Sequence, residues 1–190
     1  MKKRLTKIAL AASLLSMPVL AGADEYRSLL GFEGGYSNID VEVNPSAEQI
    51  QKNGFGNAGL KIGAESENYR MFLSARYYDA KDFNKLDTIG AEFQYKFNFA
   101  KKANFFLGAN IGKAYVKVAK KNSSLPSAEM NTGYLGADAG FNFHASELID
   151  LELGARYMYL DEKVTQGAYT YDLSSFTTAY ASIIIKWQMD

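Results

Sequence analysis

The sequence predicts an all-β fold, an eight-stranded antiparallel up-and-down transmembrane β-barrel preceded by a cleaved signal peptide. Three observations lead to this fold class. Apolar and polar residues alternate along extended segments, one short sequence unit recurs through the chain, and short connections between segments alternate with longer polar ones. Alternation with a period of two is the pattern of a strand that has one apolar face.

The clearest strand is residues 89–99. Ile, Ala, Phe, Tyr, Phe and Phe occupy its odd positions, and Gly, Glu, Gln, Lys and Asn occupy its even positions. A strand places these two sets on opposite faces, whereas a helix would scatter the aromatic residues around its circumference. The length also matches the roughly 9–11 residues that a tilted strand needs to cross the hydrocarbon core of a bilayer.

The recurring unit consists of an apolar residue, Gly or Ser, Ala, and a polar residue. The apolar residue and Ala share one face of a strand, and the other two residues share the opposite face. The unit occurs at residues 62–65, 73–76, 89–92, 107–110, 135–138 and 153–156. The same kind of strand is therefore predicted along most of the chain.

We predict strands at residues 29–43, 54–65, 69–79, 89–99, 103–118, 131–144, 149–161 and 174–188. In the first strand the apolar parity changes near Asn38, because Phe32 is even-numbered and Ile39 is odd-numbered. A β-bulge near Asn38 is the expected cause. In the fifth strand, Lys113 and Lys117 fall out of phase in the same way.

The connections differ in length at the two ends of the predicted barrel. Residues 66–68, 100–102 and 145–147 are predicted tight turns, and residues 44–53, 80–85, 120–130 and 163–173 are predicted longer polar loops. Outer-membrane barrels have short periplasmic turns and longer extracellular loops. We therefore expect the outer membrane as the location, with the long loops extracellular.

Alternation alone leaves open whether the apolar face points to lipid or to the core of a soluble lipocalin-type barrel. We expect it to face lipid. Most strand glycines lie on the charged face, where they make room for long side chains in a narrow lumen. Aromatic residues are also concentrated toward strand ends, as in the interfacial girdles of membrane barrels. The residues at those ends are Phe97, Phe99, Phe105, Phe141, Phe143, Tyr157, Tyr159 and Trp187.

The face opposite the apolar one would then line the lumen. Its charged residues are expected to form a structural network, because isolated buried charges are costly and must be paired or hydrated. A transport role is the alternative, but eight strands leave little or no channel. The predicted network is Glu33, Lys61, Arg70, Arg76, Glu92, Lys96, Asp138, Glu152, Arg156 and Lys186.

The first residues predict export. A basic start, an apolar run at 8–20 and the small residues 21–23 are typical of a signal peptide, so residues 1–23 are predicted to be removed and residues 24–190 to form the barrel domain. An uncleaved anchor helix is the alternative, but the apolar run is shorter than the ~20 residues of a membrane span. The chain has no cysteine, so disulfide bonds do not contribute to the predicted fold.

The charge balance argues against nucleic acid as a partner. The chain has 21 basic and 21 acidic residues. Removal of Lys2, Lys3, Arg4 and Lys7 leaves 17 basic residues against 21 acidic ones, a net charge of −4. A protein that binds nucleic acid would be expected to carry a basic patch instead.

With these features the chain resembles the small outer-membrane β-barrel superfamily, which includes the transmembrane domain of outer membrane protein A and related porin-like barrels. The resemblance covers residues 26–187. It implies a C-terminal strand that the barrel-assembly machinery reads through a terminal aromatic residue, an apolar residue two before it and an upstream glycine. Trp187 and Ile185 fit that pattern, whereas Ser182 stands where the glycine is expected.

Two enzymatic alternatives were considered. His144 and Ser146 have the His-x-Ser spacing of lipid A deacylases, but the predicted topology places them at the periplasmic rim. Asp79, Asp82 and Asp87 are candidates to bind a cation or to act as an acid pair like that of outer-membrane aspartyl proteases. Those proteases resemble larger, ten-stranded barrels, so a solvated loop is favoured. No catalytic, cofactor-binding or metal-binding residue is therefore predicted.

The expected function is non-enzymatic, structural or in surface interaction, and carried by the extracellular loops of a monomer. A narrow porin-like channel is the main alternative. Expected partners are outer-membrane lipid, the barrel-assembly machinery and an extracellular ligand of unknown identity. Tyr169 and Tyr171, in the last predicted loop, are either recognition contacts or part of the upper aromatic belt.

Overall fold

A computed structural model of the chain describes residues 26–45, 50, 54–118 and 125–188. Eight antiparallel strands form one closed barrel in which each strand pairs with its sequence neighbours and β8 returns to β1. This confirms the predicted up-and-down barrel. The predicted signal peptide, 1–23, lies outside the described residues. The strands are β1 (Arg27–Asn44), β2 (Phe55–Glu65), β3 (Tyr69–Asp79), β4 (Phe83–Ala100), β5 (Ala103–Val118), β6 (Ala128–His144), β7 (Ile149–Gln166) and β8 (Tyr169–Gln188).

Within the described ranges, no helix is long and apolar enough to span a membrane.

The outer surface of the barrel carries a band of exposed apolar side chains. Every strand contributes to it, because alternate residues of each strand point outward. One member from each strand in turn is Phe32, Leu60, Tyr77, Ile89, Leu107, Leu135, Leu153 and Ile183, which are 46–63% exposed. The apolar face therefore points outward, and the lipocalin-type alternative is wrong.

Aromatic side chains form a chain of ring contacts at one edge of this band. Tyr69 contacts Tyr95, which contacts Phe97, at centroid distances of 5.2 and 4.8 Å. The series continues through Phe105 to Phe141 at 6.0 and 5.4 Å. These contacts join β3, β4, β5 and β6 on the outer surface, as expected of a membrane-interface girdle.

Glycines on the lumen face leave space for long side chains. A Cβ atom at Gly31 would lie 2.7 Å from Cγ of Lys61, and one at Gly154 would lie 2.6 Å from Cζ of Tyr180. Real Cβ contacts are longer, so a larger residue at either position would displace the neighbour. The interior of a small barrel is only wide enough to be filled by side chains.

The two ends of the barrel differ, although not as the sequence predicted. We call the end with residues 66–68, 101–102 and 145–148 the turn end, and the opposite end the hairpin end. At the hairpin end, residues 80–82 and 167–168 are tight connections rather than the predicted loops 80–85 and 163–173. The strands there are longer instead. Gly167 permits the tight turn between β7 and β8, because it has a φ of 63°.

The predicted bulge near Asn38 is wrong. Along β1, odd-numbered residues remain buried and even-numbered ones exposed from Ser37 to Asn44. The only register shift against β8 lies between Asp40 and Val41, where β8 contains one extra residue. Lys113 and Lys117 likewise remain in phase and point outward. Beyond this level the inward residues are apolar and the outward residues are polar, while the alternation of inward and outward positions along the backbone continues unchanged.

This exchange of faces creates an apolar core inside the hairpin half of the barrel. Phe176 is fully buried, with its ring 6.0 Å from Phe55 and 4.9 Å from Tyr78. The same cluster contains residues from every strand, among them Ile39, Leu86, Val116, Met130, Met158 and Leu173. Polar residues such as Asp40 point outward at this level. The hairpin half therefore has the pattern of a water-soluble barrel.

The two tyrosines of the last predicted loop belong to this apolar core. Tyr171 is fully buried and donates its hydroxyl hydrogen to the carbonyl oxygen of Pro126. Tyr169 packs against the same cluster. Both suggested roles, surface recognition and a lipid-facing belt, are therefore wrong, because the segment is strand and its tyrosine rings point inward.

Phe176→Ala should lower the free energy of unfolding by about 3–5 kcal/mol, because it leaves a cavity in a buried aromatic cluster. Phe93→Ala is the matched control, since Phe93 is on the outer surface and 45% exposed. Urea unfolding in detergent, followed by the gel mobility shift of folded barrels, measures both variants. Equal losses would contradict the assignment of an interior core at the hairpin end.

Candidate functional site in the barrel lumen

All ten charged residues predicted for the lumen are buried there. Glu33, Lys61, Arg70, Arg76, Glu92, Lys96, Asp138, Glu152, Arg156 and Lys186 are each no more than 6% exposed. Two further acids, Glu65 and Asp150, were missed by sequence reasoning and lie in the same network. Strand parity could have identified them, because Glu65 shares a face with Lys61 and Asp150 shares one with Glu152.

The central ion cluster consists of Glu33, Arg76, Glu92 and Arg156, on β1, β3, β4 and β7. Arg76 donates from Nε to Oε1 of Glu33 at 2.8 Å and also forms an ion pair with Glu92. Arg156 donates to Oε1 and Oε2 of Glu33 at 2.9 and 3.1 Å, and its distance to Oε2 of Glu92 is 3.4 Å. Each arginine thus binds both carboxylates, and the cluster crosses the lumen.

The turn-side ion cluster lies between the central ion cluster and the turn end. It consists of Lys61, Glu65, Arg70, Lys96, Asp150, Glu152 and Lys186. Arg70 connects three acids, Glu152 at 2.8 Å, Asp150 at 3.3 Å and Glu65 at 3.4 Å. Lys61 joins the two clusters, because its Nζ is 2.6 Å from Glu152 and 3.7 Å from Glu33.

The remaining lysines complete the turn-side ion cluster. Lys96 is 2.9 Å from Glu65, and Lys186 is 2.7 Å from Asp150. These contacts link β4 and β8 to the strands that Arg70 already connects. All seven residues therefore form one continuous network of ion pairs.

Asp138 differs from the other lumen acids because its hydrogen bonds come from neutral amides. Gln94 donates to Oδ2 at 2.9 Å, and Asn110 donates to Oδ1 at 3.3 Å. Its strand neighbour on β7 is Arg156. With Asp138 included, the buried charged residues in the described part of the chain are six basic ones (61, 70, 76, 96, 156 and 186) and six acidic ones (33, 65, 92, 138, 150 and 152), so their formal charges sum to zero.

Two aromatic rings pack against the cations. Lys61 lies 4.9 Å from the ring centroid of Phe72 and 5.2 Å from that of Tyr180. The guanidinium of Arg156 is 4.4 Å from the same Tyr180 ring. Cation–π contacts of this kind stabilise charges that have left water.

Above the central ion cluster the lumen becomes polar and then apolar. Asn57 donates to Ser37 at 2.7 Å, and the hydroxyls of Ser37 and Thr178 are 2.8 Å apart. The aromatic cluster around Phe176 follows toward the hairpin end. Successive layers of buried ionic, polar and apolar side chains thus occupy the described part of the lumen.

The turn end opens into a cavity of about 800 Å³. His144 lies at its wall, 27% exposed, with Nδ1 2.8 Å from Oδ1 of Asp150 and Nε2 3.3 Å from Nδ2 of Asn104. Ser146 lines the same cavity, and its Oγ accepts a hydrogen bond from the backbone N–H of Leu148 at 3.2 Å. In the described part of the chain, the side chains of His144 and Ser146 are not hydrogen-bonded to each other.

The acids near the hairpin end are dispersed. Asp79 ends β3, and Asp87 lies on β4 with Oδ2 3.7 Å from Lys85 Nζ. Asp82 lies in the turn between these strands. Across the described ranges, no group of three or more His, Cys, Asp or Glu side chains has a geometry that could hold a metal ion.

The barrel is similar to three solved outer-membrane barrels. Neisserial surface protein A (NspA) is 17% identical, with a TM-score of 0.64 over 88% of this chain and 100% of that chain. The N-terminal β-barrel domain of Pseudomonas aeruginosa OprF is 12% identical, with a TM-score of 0.58 over 87% and 100%. Outer membrane protein H (OprH) of P. aeruginosa is 16% identical, with a TM-score of 0.55 over 87% and 100%. At these identities the similarity shows the fold alone.

A comparison with curated protein sequences found no match. The sequence matches the family model of the outer membrane protein beta-barrel domain over residues 8–181, most of the chain. Together with the closed eight-stranded barrel and its apolar outer band, this match places the protein in the outer membrane. The chain belongs to the outer membrane protein β-barrel domain family.

Proposed function

We propose that the protein is a non-enzymatic, non-conducting outer-membrane barrel that acts as a structural and surface-interaction protein. The observation that carries this proposal is the central ion cluster, whose four residues bridge β1, β3, β4 and β7 across the lumen. A lumen occupied in this way leaves the outer wall and the hairpin end as the surfaces available to other molecules.

The hairpin end is proposed to face the cell exterior. Its hairpins extend beyond the apolar band and carry polar residues outward, such as Asp40 and Glu42 on β1. The turn end has short connections, as periplasmic ends of such barrels do. Surface interactions would then be made by the protruding hairpins together with the predicted loops 44–53 and 120–130, which lie partly outside the described residues.

The absence of catalysis is proposed from the local geometry at His144. The Ser146 hydroxyl accepts a backbone hydrogen bond within its own turn, and His144 contacts Asp150 and Asn104 instead. Nucleophilic catalysis requires the histidine to take the proton of the serine hydroxyl. A structural role for His144 at the wall of the turn-end cavity accounts for these contacts.

Assembly is proposed to use β8, and the folded protein is proposed to be a monomer. Ile185 and Trp187 point outward near the end of β8, and Ser182 points into the lumen. The two outward residues thus lie on the lipid-facing side, where the barrel-assembly machinery would read them. Ser182 is 3% exposed and occupies the position at which the family pattern has glycine.

Reconstitution in planar lipid bilayers should give no discrete channel openings, because ion pairs and apolar side chains occupy the lumen. A larger porin inserted by the same procedure provides the positive control. Reproducible unit conductance that scales with the amount of this protein would contradict the proposal and favour the narrow-channel alternative.

Single cysteines test the orientation, because the chain has no cysteine of its own. Ala168→Cys lies in the β7–β8 turn at the hairpin end, and Glu147→Cys lies in a connection at the turn end; both positions are exposed. In intact cells, a membrane-impermeant maleimide should label the cysteine at 168 and should label that at 147 only after lysis. The opposite pattern would reverse the proposed orientation.

Removal of one arginine tests the structural role of the lumen charges. Arg156→Ala leaves Glu33 and Glu92 short of a partner and should cost about 3–5 kcal/mol of unfolding free energy. In Arg156→Ala/Glu92→Ala the Glu33–Arg76 pair remains balanced, so the double variant should lose about 0.5–3 kcal/mol less than the sum of the single variants.

Urea unfolding in detergent measures these variants. Lys163→Ala is the control, because Lys163 forms an exposed ion pair with Asp172 at the hairpin end and should leave the unfolding midpoint unchanged. Strict additivity of the Arg156 and Glu92 effects would show that the central ion cluster does not act as a unit.

A further inference from the structure

The outer wall of β2, β3 and β4 has a depression of about 580 Å³ that nothing described above uses. Ala58 and Ala75 form its floor on the outward face, and the larger side chains of Leu60, Tyr77 and Ile89 surround them. We call this depression the wall groove. Because it is open to the bilayer and mostly apolar, its shape suits an acyl chain.

The wall groove lies where the outward face changes from apolar to polar. Ile89 is paired with Ala75 on one side and with Lys113 on the other, so one row across the sheet passes from Leu60 through these residues to a lysine. Leu60 and Ile89 are about half exposed. The groove therefore adjoins the level at which lipid headgroups meet acyl chains.

Charged groups border the groove at its polar edge. Lys85 is 56% exposed, with Nζ 3.7 Å from Asp87 and 5.4 Å from the ring centroid of Tyr115. Ion pairs this exposed hold their side chains weakly, so Lys85 can turn toward an anion. Lys113 has no ion pair or hydrogen bond with any side chain in the described part of the chain.

A repulsive contact also marks this edge. Lys85 is directly opposite Lys117 in the β4–β5 register, and like charges in that position are destabilising. Glu129 compensates Lys117, and the hydrogen bond from Lys117 lowers the pKa of the Glu129 carboxyl. Lys85 and Lys113 therefore remain the cations available to a ligand, while Asp79 stands further from the membrane at the end of β3.

The opposite side of the barrel provides an internal comparison. On β4 and β5 the outward residues beyond the apolar band include Lys85, Lys113 and Lys117 with one acid, Asp87. On β1 and β8, four strands away, the corresponding residues are Asp40, Glu42 and Asp172, with no lysine on those two strands at this level. An anionic headgroup is thus favoured on the β4–β5 side over the β1–β8 side.

We propose that the wall groove binds a phosphorylated glycolipid of the outer leaflet, with an acyl chain over Ala58 and Ala75 and phosphate at Lys85 and Lys113. The Asp87 carboxylate accepts hydrogen bonds from sugar hydroxyls, which a simple phospholipid headgroup presents in smaller number. The site rests on the proposed orientation, because only an exterior hairpin end brings the groove to the outer leaflet.

Native mass spectrometry of the folded protein in neutral detergent tests the site. The probes are diphosphoryl lipid A, the same lipid without phosphate, and phosphatidylglycerol. Wild-type protein should bind diphosphoryl lipid A most tightly. Lys85→Gln/Lys113→Gln should weaken that binding by about thirtyfold, since each of the two lysines near a lipid surface contributes about 1 kcal/mol.

Two further variants separate charge from shape. Ala75→Trp fills the groove without a change of charge and should also weaken binding. Lys163→Gln is the matched control, because Lys163 is a similarly exposed lysine whose partner Asp172 raises its pKa through a hydrogen bond, and it lies on the other side of the barrel. Its affinity for diphosphoryl lipid A should equal that of wild type.

Equal effects of the Lys85/Lys113 and Lys163 substitutions would overturn the proposal, as would equal affinity for all three probes. The gel mobility shift on boiling verifies that each variant is folded, and Ala75→Trp keeps the test independent of the lysines. If cysteine labelling showed a reversed orientation, the groove would face the inner leaflet, and the proposal of an outer-leaflet glycolipid would be overturned even if lipid binding in detergent persisted. Channel openings in planar bilayers would instead contradict the proposed function and leave the lipid site unaffected.

Discussion

The burial of six cations and six carboxylates in the barrel lumen is the constraint on which the rest of the structure depends. Charges removed from water are costly unless they are paired and hydrogen-bonded, so each must have its partner at the correct height and on the correct strand. Glycines such as Gly31 make room for the long side chains. The strand register, the narrow diameter and the filled lumen are all consistent with this requirement. A barrel organised in this way is available to other molecules mainly through its outer surface.

Along the same eight strands, the outward face is apolar in one half of the barrel and polar in the other, and the lumen face changes in the opposite sense. In the membrane-facing half, Phe32 faces outward and Glu33 faces the lumen, whereas beyond it Asp40 faces outward and Ile39 faces the lumen. The backbone alternates without interruption through this exchange. One part of the barrel is therefore a membrane protein with a polar interior, and the other is a soluble barrel with an apolar interior. The wall groove lies at the junction between the two, where a ligand with both apolar and charged parts is best matched.

Strand number, strand order and the outward apolar face could be predicted from periodicity. In a strand such as 89–99, the alternation of apolar and polar residues identifies both faces from the local sequence alone. The predictions of a bulge near Asn38 and of a loop at 163–173 were wrong because the same sequence pattern has two structural causes. A change of parity near Asn38 indicates either a bulge or a change of surroundings, and only the pairing with β8 distinguishes them. The polar composition of 163–173 suggested a loop, yet its outward residues are polar because they face water from a strand. Glu65 and Asp150 share strand faces with Lys61 and Glu152, so their parity places them in the lumen, but their ion-pair partners on distant strands cannot be read from local patterns.

The exchange of faces also fixes how deep the barrel sits. Movement of the barrel in the direction of its turn end would bring the outward carboxylates of Asp40 and Glu42 against hydrocarbon, and movement in the direction of its hairpin end would bring Leu60 and Ile89 into water. Both displacements are opposed, so the protein resists vertical drift in either direction. The distance between the aromatic girdle at the turn end and the first outward charges at the hairpin end is then a built-in measure of bilayer thickness. A membrane of different thickness would have to deform around the barrel, because a closed sheet cannot shorten its strands.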